Sequence, residues 1–138
     1  MWRARACLSI VYWAARFEAV IRTRRVDQLV ELAGIRLDAT SPRPGTCRQP
    51  SLSARDVFVL RAVHRLYRRS FGERPCLREC LVSGRLLRYR SPALRLGVRS
   101  AARSMQAHAW LEFDGVAVDP LARDYVALVA GARTHSAS

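Results

Sequence analysis

The feature that most limits how this chain can fold is a change of apolar period at Pro92. Before it, apolar residues recur at helical spacing; after it, they alternate. Ile10, Trp13, Ala14, Phe17, Val20 and Ile21 form one apolar stripe. Arg22, Arg24 and Arg25 interrupt it, and Val26, Leu29, Val30 and Leu32 resume it, so residues 7–33 read as helix in two pieces. Gly34 suits a helix C-cap. Residues 38–52 hold three Pro and one Gly and read as a loop within one domain. Ser53 opens the next helix, with Asp56 as its capping-box acid. Val57, Leu60, Val63 and Tyr67 line one face of it. After Gly72 and Pro75, a further helix is expected over Cys76–Tyr89, burying Leu77, Leu81, Leu86 and Leu87 and ended by Ser91-Pro92.

Beyond Pro92, Leu94, Leu96 and Val98 alternate with Arg95, Gly97 and Arg99. Residues 107–113 and 116–119 flank Asp114-Gly115, a dipeptide that favours the two-residue type I′ hairpin turn. Residues 121–130 suit a short helix or coil, and 131–138 form a polar tail. The expected fold class is α+β, with N-terminal helices packed on a small antiparallel sheet. At 138 residues the chain is one domain: a helical part and loop over 1–50, a core over 51–121, and the tail.

Charge is uneven. The chain carries a net +13, with no Lys and no Asn, so every basic group is Arg, a skew typical of a GC-rich genome. Residues 55–103 hold 13 Arg against three acids, whereas 104–138 hold two Arg against four acids. Such a balance raises nucleic-acid binding, or docking of an acidic partner without catalysis, as an alternative function. No recognised nucleic-acid module is present, and aromatics do not interleave with Arg on one strand face, so no nucleic-acid partner is expected. The basic Met1–Arg5 and apolar Ala6–Ala15 faintly resemble a signal peptide, but Arg16 and Glu18 break the run. No stretch approaches the roughly 18 apolar residues of a membrane span. A cytoplasmic protein is expected, with Trp2, Trp13 and their flanking arginines leaving surface association with a membrane as the alternative.

Three titratable residues stand out by position. Cys76 follows Pro75 at a helix start, where unpaired N–H groups and the helix dipole favour a thiolate. Arg74 and Arg78 add positive charge nearby. In the hairpin register set by Asp114-Gly115, Trp110 faces Asp119 and His108 faces Leu121. His108, Trp110, Glu112, Ala117 and Asp119 then share one face, and Leu111, Phe113, Val116 and Val118 share the other, the natural core side. His108 and Asp119 become diagonal neighbours within hydrogen-bond reach. Asp114 is held in the turn and Glu112 points toward the loop end. A Cys nucleophile, a His base and an Asp that orients it make a triad for acyl transfer. The bland alternative is a buried Cys and a surface His.

The motif Cys76-Leu77-Arg78-Glu79-Cys80-Leu81, followed by His108-Ala109-Trp110-Leu111-Glu112 and Asp114-Gly115, resembles the transglutaminase-like lasso-peptide maturation proteins, the leader peptidases or B proteins of bacterial lasso-peptide clusters. Leu86-Leu87-Arg88 and Gly97-Val98-Arg99 agree with that pattern, and the resemblance covers roughly 50–121. It implies a papain/transglutaminase-like core and a catalytic triad of Cys76, His108 and Asp119. It also implies a reaction: Cys76 attacks the carbonyl ending the leader, His108 protonates the departing amine, and water frees the leader. The released core N-terminus is the amine from which macrolactam formation starts. The implied partners are the precursor leader peptide, a separate leader-binding recognition protein and an asparagine-synthetase-like lasso cyclase. Residues 1–50 are too short for the winged-helix-like recognition module of larger members, so the split form is expected. Cleavage in the family commonly follows a leader whose penultimate residue is Thr. No cofactor and no metal is implied, and no Gly-rich phosphate loop is present.

The departures are Cys80 where Ser or Ala is expected, and Ser91-Pro92 where Gly usually ends the helix. Asp119 also follows His108 by 11 residues, a spacing that varies by one among relatives. Backbone N–H of Cys76 is one oxyanion donor, and Gln106 on the His108 face is a candidate for the second. Trp110 beside the base either shields the His–Asp bond or fills a pocket. Cys76-x-x-x-Cys80 with His108 supplies only three soft ligands, a poor zinc set. A 76–80 disulfide has unfavourable geometry within one helical turn. Cys7 and Cys47 are expected to pack or stand free, His64 to be a packing or partly exposed residue, and His135 to be inert. A triad of this kind also serves acyl transfer to an amine instead of water, and only products separate the two.

Overall fold

A computed structural model describes residues 1–40, 50–71 and 76–129. Four helices precede the main strands: α1 (Trp2–Val20), α2 (Val26–Ala33), α3 (Ala54–Phe71) and α4 (Cys76–Leu86). The sheet comprises β1 (Arg36–Leu37), β2 (Ala93–Ala101), β3 (Ser104–Phe113), β4 (Val116–Ala117) and β5 (Val126–Ala127). The fold is α+β, with a small, mostly antiparallel sheet.

The break between α1 and α2 falls at the arginine cluster, and Gly34 caps α2 in the left-handed region at φ 68°. Helix α1 begins at Trp2, five residues earlier than its apolar stripe suggests. Its buried side presents Ile10, Ala14 and Phe17, while Leu8, Val11 and Tyr12 are exposed. Among the described residues, no helix is long and apolar enough to cross a membrane.

The capping box at the start of α3 is present. Ser53 N–H donates to Asp56 Oδ2 at 2.9 Å, and Asp56 N–H donates to Ser53 Oγ at 3.2 Å. Asp56 is fully buried and also accepts from the Tyr89 hydroxyl and, at 3.4 Å, from Arg90. The start of α3 is thereby tied to the 3-10 turn Arg88–Arg90 that follows α4. Burial alone would push the Asp56 carboxyl up, but these hydrogen bonds and Arg90 hold it below its ordinary value.

Helix α4 ends at Leu86, three residues short of the expected Tyr89, and the chain tightens into the 3-10 turn before Ser91 takes a left-handed φ of 50°. It is the central element. The other three helices and β3 all pack on it, so Cys80–Gly84 are buried all round instead of along one leucine stripe. Leu77 and Leu86 are only half-buried. A helix enclosed on every side needs no polar face.

Strands β2 and β3 pair along their full length, from Ala93↔Glu112 to Ala101↔Ser104. Strand β1 adds to β2 in parallel at Ala93 and Leu94, and β5 adds antiparallel farther along, at Gly97 and Val98. The Asp114-Gly115 turn has positive φ at both residues, 52° and 75°, as type I′ requires. Its register, Phe113↔Val116 and Glu112↔Ala117, is the one the sequence predicts. Strand β4 then stops at Ala117, short of the expected residue 119, with one further bond from Val118 N–H to the Leu111 carbonyl.

The expected split into a core face and a solvent face does not hold for this sheet. Leu94, Ala109, Leu111 and Phe113 join the core with the helices. The opposite face buries Trp110 against Ala122 and Ala127, because the 3-10 turn Pro120–Asp124 and β5 fold over it. Arg95 is consequently buried at 3% exposure, with its guanidinium 3.5 Å from Asp38 and 3.9 Å from Glu112.

Gly97 sits under Trp110. A Cβ there would lie 2.7 Å from two ring carbons and 3.0 Å from the Val126 carbonyl oxygen. Gly97→Ala is therefore expected to cost about 1–3 kcal/mol by overpacking. Thermal denaturation should show Tm lowered by several degrees, with an altered near-ultraviolet tryptophan signal; an unchanged Tm would contradict this packing.

Candidate active site

Strand β4 is short, and that creates the site. Where it ends, the edge of β3 at His108–Ala109 carries no further ladder partner, and the first turn of α4 comes to this edge. Cys76, the first residue of α4, is half-buried. Burial pushes its thiol up, but a hydrogen bond to His108, the backbone N–H groups of Ala109 and Leu77, and the His108 charge outweigh it. The net effect holds Cys76 below the ordinary thiol value. The Leu77 N–H is one of the first-turn donors that a helix leaves unpaired. The Ala109 N–H is the strand-edge counterpart.

His108 is 8% exposed. Its Nε2 lies 2.7 Å from Asp119 Oδ2, which leaves Nδ1 to face Cys76. The other carboxylate oxygen, Asp119 Oδ1, accepts from Leu121 N–H at 2.9 Å and caps the turn Pro120–Asp124. One carboxylate thus anchors a turn and orients an imidazole. The Asp119 bond, then the Cys76 bond, raise the His108 pKa against its burial, to about 9. Thiol pushed down and imidazole pushed up both favour a thiolate–imidazolium pair.

The ring of Tyr125 lies 4.9 Å from His108 at 34°, and the Arg99 guanidinium stands 4.9 Å over Tyr125. Trp110 stacks more distantly on His108, at 6.1 Å and 27°, and its Nε1 donates to Glu112 at 3.2 Å. Tyr125 and Trp110 thus flank the imidazole ring, while the Asp119 side chain stays 34% exposed. Tyr125 carried no sequence signal, because its position depends on β5 joining β2.

A cavity of about 930 Å³ opens beside these residues, lined by Cys76, His108, Trp110 and Asp119. Gln106 is not part of its lining. It is exposed, and its Oε1 accepts from Arg99 Nε at 2.9 Å. Cys80 lies one turn beyond Cys76 and is buried, which pushes its thiol well up, away from reactivity. Cys7, Cys76 and Cys80 carry free thiols, while Cys47 and His135 lie outside the described residues. His64 is exposed and pairs with Glu79 at 3.2 Å on the cavity wall. Among the described residues, no group of three or more His, Cys, Asp or Glu is placed to hold a metal ion.

The two functions of Asp119 can be separated. Asp119→Asn keeps an oxygen for the Leu121 N–H but puts an amide where His108 Nε2 needs an acceptor. In an NMR titration His108 should move from about 9 toward its ordinary 6.5, with folding retained. Asp119→Ala also removes the cap, with a further loss of about 0.5–2 kcal/mol by thermal melting. A His108 transition unmoved in Asp119→Asn would refute the assigned orienting bond.

No curated protein and no solved structure matches the chain. The family model described as the transglutaminase-like superfamily matches residues 13–130, so the match takes in the second part of α1 and all of α2 as well as the Cys76–His108–Asp119 region. With a match over most of its length, the chain belongs to the transglutaminase-like superfamily.

Proposed function

We propose that this protein is a thiol peptidase that removes the leader from a ribosomally made lasso-peptide precursor, with Cys76, His108 and Asp119 as its catalytic triad. The observation that carries the reading is the Cys76–His108–Asp119 relay facing an open cavity. The superfamily supports thiol acyl chemistry, and the Cys76-Leu77 and His108-Ala109-Trp110 motifs support the narrower assignment.

The Cys76 thiolate attacks the carbonyl carbon of the last leader residue. The carbonyl oxygen becomes an oxyanion, for which the backbone N–H of Cys76, at the start of α4, is the candidate donor. As the tetrahedral species collapses, the C–N bond breaks and the His108 imidazolium gives its proton to the departing amine. That amine is the new N-terminus of the core peptide. Water, deprotonated by His108, then attacks the thioester and frees the leader, regenerating the thiolate and the imidazolium. Asp119 keeps the imidazole oriented throughout and stabilises its charge. A separate leader-binding protein that delivers the precursor, and an asparagine-synthetase-like cyclase that uses the freed amine, complete the reading. So does a cytoplasmic location.

The test is mass spectrometry of the precursor after incubation with the protein and its leader-binding partner. Wild type should release leader and core, and Cys76→Ala should lose at least about 10³-fold in rate. The rate should fall on the alkaline side as His108 loses its proton near pH 9. Transfer of the acyl group to an added amine in preference to water would replace the peptidase reading with an acyltransferase. An intact precursor with wild type, with the partner bound, would refute both.

A further inference from the structure

The wall of the cavity formed by α3 is charged. Arg61, Arg65 and Arg68 follow one another at i, i+4 and i+7, forming one helical stripe, and all three line the cavity that holds Cys76 and His108. Like charges at this spacing oppose helix formation. Arg68 lies in the last turn of α3, where the helix dipole favours a cation. Arg61 and Arg65 are mid-helix and have no such compensation.

The cavity's own carboxylates are hydrogen-bonded to histidines. Glu79 is engaged by His64 at 3.2 Å and Asp119 by His108 at 2.7 Å. Among the described residues, no carboxylate forms an ion pair with any of the three arginines; Arg65 Nε instead donates to the Arg61 carbonyl at 3.3 Å. The same lining includes aliphatic side chains, Leu111, Val118 and Leu121. A chain passing Cys76 would therefore have guanidinium donors and apolar surface within the same cavity. Guanidinium groups match carboxylates in charge and in fork geometry.

We infer that Arg61, Arg65 and Arg68 form an anion-reading subsite of the Cys76 cleft, which selects peptides with acidic side chains beside the bond that is attacked. The peptide part of this inference rests on the peptidase reading, whereas the anion preference rests on the cavity alone. These residues are specificity determinants; they take no part in bond making.

Two measurements separate the inference from that reading. The first is the rate of Cys76 alkylation by anionic iodoacetate relative to neutral iodoacetamide, followed by peptide mapping and normalised to an unstructured cysteine peptide. Three cations lining the same cavity as the sulfur should favour iodoacetate about fivefold at low salt, an advantage screened away at about 0.5 M salt. The triple variant Arg61→Gln, Arg65→Gln, Arg68→Gln, shown folded by circular dichroism, should lose that advantage. The second is cleavage of peptide pairs differing by Glu or Gln beside the scissile bond. Wild type should prefer Glu in kcat/KM, and the triple variant should not.

An iodoacetate advantage unaffected by the triple substitution would overturn the subsite. Cleavage without any Glu preference would overturn it too, leaving the peptidase reading intact. Loss of the advantage in the variant, with no peptide cleaved by wild type, would support the anion site and refute the peptidase. Protection of Cys76 by an oligonucleotide as effective as that by an acidic peptide would overturn the peptide assignment in favour of a phosphate-binding surface.

Discussion

The base at this site depends on the carboxylate of Asp119, whose two oxygens join a turn to an imidazole. Oδ1 fixes the turn Pro120–Asp124 and Oδ2 fixes His108. The turn in turn carries the chain over the sheet to Tyr125 and β5, which cover the imidazole and Trp110. The orientation of the base and the shelter around it therefore have one origin. A carboxylate serving only as a cap, or only as a His partner, would leave the other half of this arrangement to chance.

The second constraint is the position of α4. Because the middle of α4, Cys80–Gly84, is buried, its first turn is held in place by that packing. The close approach of Gly84 to Ile35, where a Cβ would stand 2.8 Å from the Ile35 Cδ1, is one such contact. The sulfur of Cys76 is thus delivered to the strand edge by core packing, and the Leu77 and Ala109 N–H groups meet it there. Cys80 shows the contrast: same helix, same residue type, but surrounded by core, so its thiol is pushed up and inert.

Local signals in the sequence carried much of this. Ser53 and Asp56 specify their cap, Gly34 its left-handed end, and Asp114-Gly115 its turn and register, because each is decided within a few residues. That register was enough to bring His108 and Asp119 together. What was not legible depends on distant partners. The β2–β3 turn uses Ala102 at φ 51° and Arg103, with no Gly or Asn to announce it. β1 and β5 are two residues each and exist only because β2 offers them an edge. Arg95 reads as a solvent-facing residue until Asp38 and Glu112 are seen to close on it. Gln106 lies on the correct strand face but beyond the covered part of the sheet, where Arg99 holds it.

The central claim is that Cys76 is a thiolate paired with an imidazolium. The most direct measurement is the thiolate absorbance near 240 nm as a function of pH, taken as the difference between wild type and Cys76→Ala. The account predicts a step below the ordinary thiol value of 9.0, moved upward in His108→Ala, where only the Ala109 and Leu77 N–H groups still oppose burial. A wild-type step at or above 9.0, indifferent to His108, would contradict it.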